Sequence, residues 1–440
     1  MKVRPLRIIA YTALSLLMAT CEQQPLGMVS RPAAAPTIAA PLPIASPVPT
    51  PSDAGDAGIA RILQLTWQGY KVDYIQGDGR IVDHQRAGVS TSEGQSYALL
   101  RAVWSDDQPT FVSVWAWTRH NLQVRPDHLF GYLWGHHDDG KWSILDQSSA
   151  TDGDEDIALA LVFAARRWRD DTYLHQARAI MGDIWRHEVA VVGATPYVTA
   201  GSWAPSYSAP GPALNPSYLA PYAYRIFAQI DRAHPWIRLV DSSYSILTEC
   251  SAAPLGDRTS VGLPPNWCAL QRSTGRMAAL PTINRADDFG YDAFRALWRV
   301  SLDYLWNGEP RARAYLAGID FLRRQWHRVG MLGAYSHAGT PIGLPDDPVF
   351  YAGALGNFVV ADPAAAQAIV SRKLIPLLRH QAGVAYWDQR YSYYEQNWIW
   401  FGLALAADKL PNLTASSPSP SPVNSASWLR KSEAESGGVG

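Results

Sequence analysis

Most of the chain alternates between apolar residues at helical spacing and short runs of Gly, Pro and polar residues. Ile157, Leu161, Ala164 and Trp168 fall at i, i+4, i+7 and i+11, one face of an α-helix. Tyr291, Phe294, Trp298 and Leu302 repeat the theme and predict another helical face. Strand-like alternation is scarce, and β-branched runs bounded by turn signals are few. The stretch from about residue 56 to 411 therefore reads as a single all-α domain of amphipathic helices joined by Gly- and Pro-rich loops. No short repeat of the solenoid kind is present. The pattern predicts helices but does not say how they close on one another.

The two ends have a different character. Lys2, Arg4 and Arg7 precede an apolar run from Ile8 to Ala19, too short for a comfortable membrane span, and the segment 1–20 reads as an export signal. It ends at Met18-Ala19-Thr20-Cys21, which resembles a bacterial lipobox with Thr in place of the usual Gly, Ala or Ser. Lipidation of Cys21, and with it membrane anchoring, stands open beside ordinary cleavage nearby. Residues 21–55 are rich in Pro, Ala, Ser and Thr, cannot bury a core and read as a tether. The segment 412–440, with its Ser-Pro run from Ser416 to Pro422, is expected to be a disordered tail. No other apolar stretch is long enough to span a membrane, so the body after the signal is expected to be soluble, and the export signal makes the expected location secreted, periplasmic or lipid-anchored at the envelope.

Composition narrows the function. Lys and Arg total 38 against 39 Asp and Glu, so the basic excess of a nucleic-acid binder is absent. Charged residues make up only 18%, while Trp (18) and Tyr (21) are abundant. Aromatics fill large cores, and they also suit sugars, whose axial C–H faces stack on indole rings. With Cys21 set aside, Cys250 and Cys268 are close enough in sequence to close a loop by a disulfide in an exported protein.

The sequence lacks a nucleophile elbow, a phosphate-binding P-loop, a dinucleotide-binding Gly turn and a zinc helix. What remains is a set of acids near predicted helix starts, framed by aromatics. Three segments carry them: Thr91 to Leu100 with Glu93, Ala150 to Trp168 with Asp152, Asp154 and Asp156, and Phe289 to Arg295 with Asp292. Each has an ordinary structural account. Ser92-Glu93 and Thr151-Asp152 could be N-caps with acids favoured by the helix dipole, and Asp292 with Arg295 could be a surface pair. A calcium loop starting at Asp152 fails, because its sixth and twelfth positions hold Ile157 and Phe163. His136, His137, Asp138 and Asp139 lack metal spacing and read as a solvated loop.

Together these segments resemble glycoside hydrolase family 8 over nearly all of residues 56–411. Ala150 to Trp168 looks like the family signature, A-[ST]-D-[AG]-D followed by Ile-Ala and a Trp further along the helix. Thr91 to Tyr97 looks like its Ser-Glu-Gly-Gln segment, and supporting stretches follow in the family's order: Asp78 to Asp83, Asn215 to Pro221, Leu263 to Trp267 and Tyr393 to Asn397. The resemblance implies an (α/α)6 barrel of helical hairpins with an open substrate groove. It also implies an inverting, endo-acting glycoside hydrolase that cleaves β-1,4-glucan, a cellulose-like chain, without a metal or organic cofactor.

By the family's pattern Glu93 is the general acid, Asp292 the general base, and Asp152 orients the sugar at the cleavage point. Tyr218 and Arg295 match positions around the attacking water, and Trp134 matches an aromatic sugar platform. Ser96 and Ala98 stand where many members carry Gly, which could narrow the groove near Glu93, and the loop between Cys250 and Cys268 is unfamiliar in the family. Chitosan, xylan or mixed-linkage glucan are alternative substrates, and a non-catalytic polysaccharide-binding protein is the alternative of another class. A monomer is expected.

For such a mechanism one carboxyl must hold its proton while the other is ionised. A helix dipole at Glu93 works against that, whereas burial and the charge of Asp152 favour the protonated form. Arg295, one helical turn from Asp292, is expected to favour the ionised base and so to push the two pKa values apart.

Overall fold

The computed structural model describes residues 56–415 apart from 209, 257, 258 and 344; the export signal, Cys21, the tether and most of the tail lie outside the described residues. Helices follow one another as outer and inner partners. The first pairs are α1 (Asp56–Tyr74) with α2 (Ser92–Trp104), and α3 (Gln108–Asn121) with α4 (Thr151–Trp168). Then come α5 (Asp171–His187) with α6 (Pro221–Ile230), and α7 (Ile237–Ala252) with α8 (Arg295–Asn307). Two short outer helices, α9 (Pro310–Gly318) and α10 (Asp320–Arg328), precede α11 (Pro348–Ala361), and α12 (Pro363–Ile369) precedes α13 (Tyr393–Ala406).

The inner helices α2, α4, α6, α8, α11 and α13 close into a ring through side-chain contacts and close backbone approaches. Gly153 of α4 lies against Ser92 of α2, where an added Cβ would meet Ser92 Oγ at 2.8 Å. Tyr224 of α6 donates to Glu155 of α4 at 2.8 Å, and Arg225 of α6 meets Asp303 of α8 at 2.8 Å. Gly356 of α11 lets the carbonyl of Leu297 on α8 approach to a distance that a side chain would forbid. Gly402 of α13 lies against the Ala352 carbonyl of α11, Phe401 of α13 packs edge-on to Tyr97 of α2, and Arg101 of α2 donates to Asn397 of α13 at 2.9 Å, which completes the circuit. The result is an (α/α)6 barrel. The inner helices are buried almost all round, as the unbroken apolar runs of α4 from Ile157 to Ala165 and of α13 from Trp398 to Ala406 require, while outer helices such as α5 keep a polar face to solvent.

The barrel's interior is filled by aromatics, among them Trp104, Trp298, Trp398 and Phe401, in edge-to-face and tilted contact. Below the site the interior is polar: Arg299 donates to both oxygens of Asp156 at 2.8 and 2.7 Å and to Tyr222 Oη at 3.0 Å. A buried cation of this kind needs such pairing to be tolerated.

Strands are short and peripheral. β1 (Ser90–Thr91), β2 (Leu133–His136) and β3 (Trp142–Asp146) form an antiparallel sheet with Ser90 opposite Trp134. β4 (Val189–Val192) and β5 (Thr195–Val198) make a hairpin, as do β9 (Leu378–Gln381) and β10 (Val384–Trp387). β6 (Ala213–Leu214), β7 (Cys268–Leu270) and β8 (Met277–Ala278) form a second three-stranded sheet, and Cys268 of β7 is disulfide-bonded to Cys250 of α7.

Three expectations need correction. The helical face drawn through Tyr291, Phe294, Trp298 and Leu302 overruns its helix: α8 begins at Arg295, and residues 291–294 form a turn that leaves Tyr291 exposed. Thr151 does not cap α4; the cap position is Ala150, and Thr151 Oγ1 donates instead to the carbonyl of Thr199 at 2.7 Å. Ser96 and Ala98 are fully buried between helices, with Ser96 Oγ turned back onto the carbonyl of Glu93, so neither narrows a groove. The hairpin turn of His136 to Asp139 is largely exposed. Among the described residues no helix is long and apolar enough to cross a membrane.

Candidate active site

The N-termini of the inner helices converge at one end of the barrel, and their first turns carry the acids singled out in the sequence. Glu93 and Asp152 sit at the second positions of α2 and α4, and Arg295 opens α8. Thr91, held on β1, caps α2 by accepting from Gly94 N at 2.9 Å, which fixes the turn that presents Glu93. Gly153 allows the N-terminus of α4 to lie against Ser92, so the absence of one side chain brings Glu93 and Asp152 together.

Arg295 is the hub. It is almost completely buried, and its Nη1 donates to Glu93 Oε2 and to Asp152 Oδ2, both at 2.8 Å, while Nη2 donates to Asp292 Oδ1 at 2.6 Å. Tyr97 Oη accepts from the same Nη1 at 3.3 Å. The face of the guanidinium lies over the Tyr218 ring, 5.3 Å from its centroid. Asp292 and Arg295 are therefore not a surface pair; Arg295 is a buried cation shared by three carboxylates. Its fork, rather than its charge alone, makes this possible, since a guanidinium offers five donors in fixed directions.

Each carboxylate has a second partner. Tyr393, at the start of α13, donates to Glu93 Oε1. Asp152 Oδ1 accepts from its neighbour's backbone N–H, Gly153 N, at 2.9 Å. Asp292 Oδ2 accepts from Trp267 Nε1 at 3.1 Å. Exposure separates them: the Asp152 side chain is buried, that of Glu93 is 18% exposed and that of Asp292 is 35% exposed, so Asp292 faces the open side.

Burial pushes Glu93 above the ordinary carboxyl range; Arg295 opposes this, the charge of Asp152 adds to it, and the Tyr393 hydrogen bond pulls the other way. Burial raises Asp292 as well, against Arg295 and Trp267, with Asp152 again raising it. The expectation that Arg295 singles out Asp292 is thus not met, because the cation is shared. What differs between the two acids is access to the open side and the identity of the second donor, a phenol for Glu93 and an indole for Asp292.

Trp134 stands apart from this cluster, on β2 of the sheet that leads into α2. It stacks on Trp142 with centroids 5.0 Å apart, and the Arg80 guanidinium lies 4.5 Å from its ring centroid. The Trp142 indole beyond it is 45% exposed. Trp267, the donor to Asp292, leads to Trp203 and Tyr207 through tilted and edge-on contacts.

Sequence reasoning did not single out Tyr393, Trp267 or Tyr97. All three lie in stretches that carried the family resemblance, but nothing in their local pattern distinguishes a ligand of a carboxylate from a core aromatic. Among the described residues, no group of three or more His, Cys, Asp or Glu side chains is arranged to hold a metal ion.

The comparisons with known proteins agree with this architecture. Residues 54–326 match the family model described as glycosyl hydrolases family 8. An endoglucanase of Xanthomonas axonopodis pv. citri is 33% identical over 362 residues, an alignment covering 78% of this chain and 87% of that one. The structure of an endo-β-1,4-glucanase from Acetobacter xylinum matches with a TM-score of 0.61 at 25% identity, over 79% of this chain and 98% of the other. A β-1,3-1,4-glucanase from Paenibacillus sp. X4 shares the fold at 20% identity, with a TM-score of 0.66 over 80% and 92% of the two chains.

Proposed function

The chain belongs to glycosyl hydrolases family 8, and from that premise we propose that Glu93, Asp292 and Asp152 carry a single-displacement hydrolysis of β-1,4-glucan. The enzyme is a glycoside hydrolase of the endoglucanase type that takes polysaccharide as substrate. In this reading Glu93 protonates the leaving glycosidic oxygen. Asp292 removes a proton from a water on the opposite face of the sugar ring, and the anomeric centre inverts. Asp152, buried beside them, holds the sugar in a distorted form close to the oxocarbenium-like transition state. Tyr218 and Arg295 line the position of the water, and Trp134 is a stacking platform further along the chain.

The observation that supports this assignment is the shared guanidinium. Glu93 and Asp292 are held at its two different nitrogens. The fork keeps the two bonded oxygens no more than roughly 8 Å apart. The inversion that family membership supports needs the two carboxyls about 6.5–9.5 Å apart, with room for a water, and the reach of the fork accommodates the lower part of that range. Burial supplies the proton on Glu93, and the greater openness of Asp292 suits the group that must meet solvent. We also read the chain as exported and monomeric, with the basic-then-apolar start of residues 1–20 supporting export and Cys21 as the candidate lipid-attachment point.

The test is product analysis by NMR on carboxymethyl cellulose, with chitosan, xylan and mixed-linkage glucan in parallel. Products that emerge first with the α-anomer support the reading; a β-anomer emerging first defeats it. Glu93→Gln should lower turnover about 10²–10⁴-fold while polymer binding persists. A natural chain that binds polymer but never cleaves it would be a polysaccharide-binding protein instead.

A further inference from the structure

Behind Asp152 lie two buried acids for which the hydrolysis has no use. Asp154, in the first turn of α4, and Glu188, the C-terminal cap of α5, are both completely buried. Asp154 Oδ1 accepts from Phe130 N at 3.0 Å, and Glu188 Oε1 accepts from Ser149 Oγ at 2.5 Å. The remaining oxygens, Asp154 Oδ2 and Glu188 Oε2, accept no hydrogen bond from the described residues, although the Thr151 hydroxyl, which donates to the Thr199 carbonyl, stands beside the Glu188 carboxyl. Yet the two carboxyl groups face each other at hydrogen-bonding range. Two acceptors can join only through a proton, and two carboxylates this close in a dry interior cannot both ionise.

The pair also ties down both flanks of Asp152. The backbone carbonyl of Glu188 accepts from Thr199 N at 2.8 Å and Thr199 Oγ1 at 2.7 Å, and Thr199's own carbonyl takes the Thr151 hydroxyl at 2.7 Å. Ser149, bonded to the Glu188 side chain, accepts from Ser202 N at 2.9 Å. Ser149, Thr151 and Asp154 thus hold the segment that carries Asp152 against the end of α5.

We propose that Asp154 and Glu188 share a proton, and that this carboxyl pair is the positioning clamp for Asp152. The clamp's catalytic consequence rests on the reading of Asp152 given above; the shared proton does not. The charged surroundings offer little to replace it. Arg125, between α3 and β2, faces the pair but is held by both oxygens of Asp127. On α4 Glu155 is itself held well above the ordinary carboxyl range by burial, with Glu188 adding to the rise, and on α5 His187 faces Asp127 while Asp183 is engaged by His128.

Burial raises both acids, Asp154 well above the ordinary carboxyl range and Glu188 to about 7, with each proton belonging to the pair. The folded state therefore binds protons more tightly than the unfolded chain does. The pair's contribution to stability is complete below the unfolded carboxyl range and is lost as pH rises through neutrality.

The experiment is infrared spectroscopy on the full chain near neutral pH in the Glu93→Gln background, which removes the signal of the proposed acid. One protonated-carboxyl carbonyl component should disappear both on Glu188→Gln and on Asp154→Asn. An amide can donate where the shared proton stood, so with Glu93 intact Glu188→Gln should keep neutral-pH turnover within about threefold, whereas Glu188→Ala should lose it about tenfold or more. The melting temperature of Glu188→Gln should fall less steeply from about pH 5 to about pH 9 than that of the unsubstituted chain. An infrared component untouched by either amide variant overturns the shared proton. Glu188→Gln as damaged as Glu188→Ala overturns the clamp. Either result leaves the roles of Glu93 and Asp292 standing, because product stereochemistry tests those separately.

Discussion

Arg295 Nη1 lies 2.8 Å from Oε2 of Glu93, so the residue read as the acid is held by the one contact that most favours its ionised form. Burial wins over that cation, and Glu93 stays above the ordinary carboxyl range. The balance makes Arg295 a control point for the pH dependence of both acids. Removing it, as in Arg295→Gln, takes away a lowering influence on Glu93 and on Asp292 alike. Both limbs of the kcat/KM profile should move to higher pH, and turnover should fall about 100-fold or more as the three carboxylates lose their common anchor. The variant should also lose more stability at high pH than at low pH, since protonation relieves the unpaired carboxylates. A pH–rate profile and melting curves at two pH values check this.

Tyr393 donates to the other oxygen of Glu93 and lowers its pKa. Tyr393→Phe removes the donor with little change of shape. Glu93 should then hold its proton to higher pH, so the alkaline limb of kcat/KM moves up, while a looser carboxyl costs about tenfold in kcat. An unchanged alkaline limb would mean that the phenol does not tune this group.

Trp134, stacked on Trp142 and backed by Arg80, lies away from the carboxylates. If it serves only to hold substrate, Trp134→Ala should raise KM on long chains roughly tenfold with kcat nearly unchanged. A comparable fall in kcat would place its effect in the transition state instead.

The disulfide between Cys250 and Cys268 closes a loop with a sequence separation of 18 and fixes β7 to α7. Replacing both by Ser should cost about 2–4 kcal/mol, read from denaturant unfolding. Because Trp267, the donor to Asp292, immediately precedes Cys268, the same variant should also lower kcat/KM at temperatures where it is still folded. Loss of stability with full activity would show that Trp267 is held without the bridge.

Helical spacing is a local property, and it was legible. The face through Ile157, Leu161, Ala164 and Trp168 is the α4 helix of the structure. The same reading overran at Tyr291, because an apolar spacing does not reveal where backbone bonding begins; α8 starts only at Arg295. Glu93, Asp152, Asp292, Arg295 and Tyr218 were all named from the sequence, and the fold gathers them around one guanidinium. Tyr393 and Trp267 escaped notice because their role lies in contacts with residues 300 and 25 positions away, which no window along the chain contains.

By itself, then, the sequence determined which stretches become helices and which acids stand at their starts, since spacing, caps and small residues act within a few positions. The tertiary structure decided that six of those starts face a common end, that Arg295 serves three carboxylates rather than one, and that Asp154 meets Glu188. Those outcomes depend on burial and on distances between segments far apart in the chain, and the protonation of an acid follows from both.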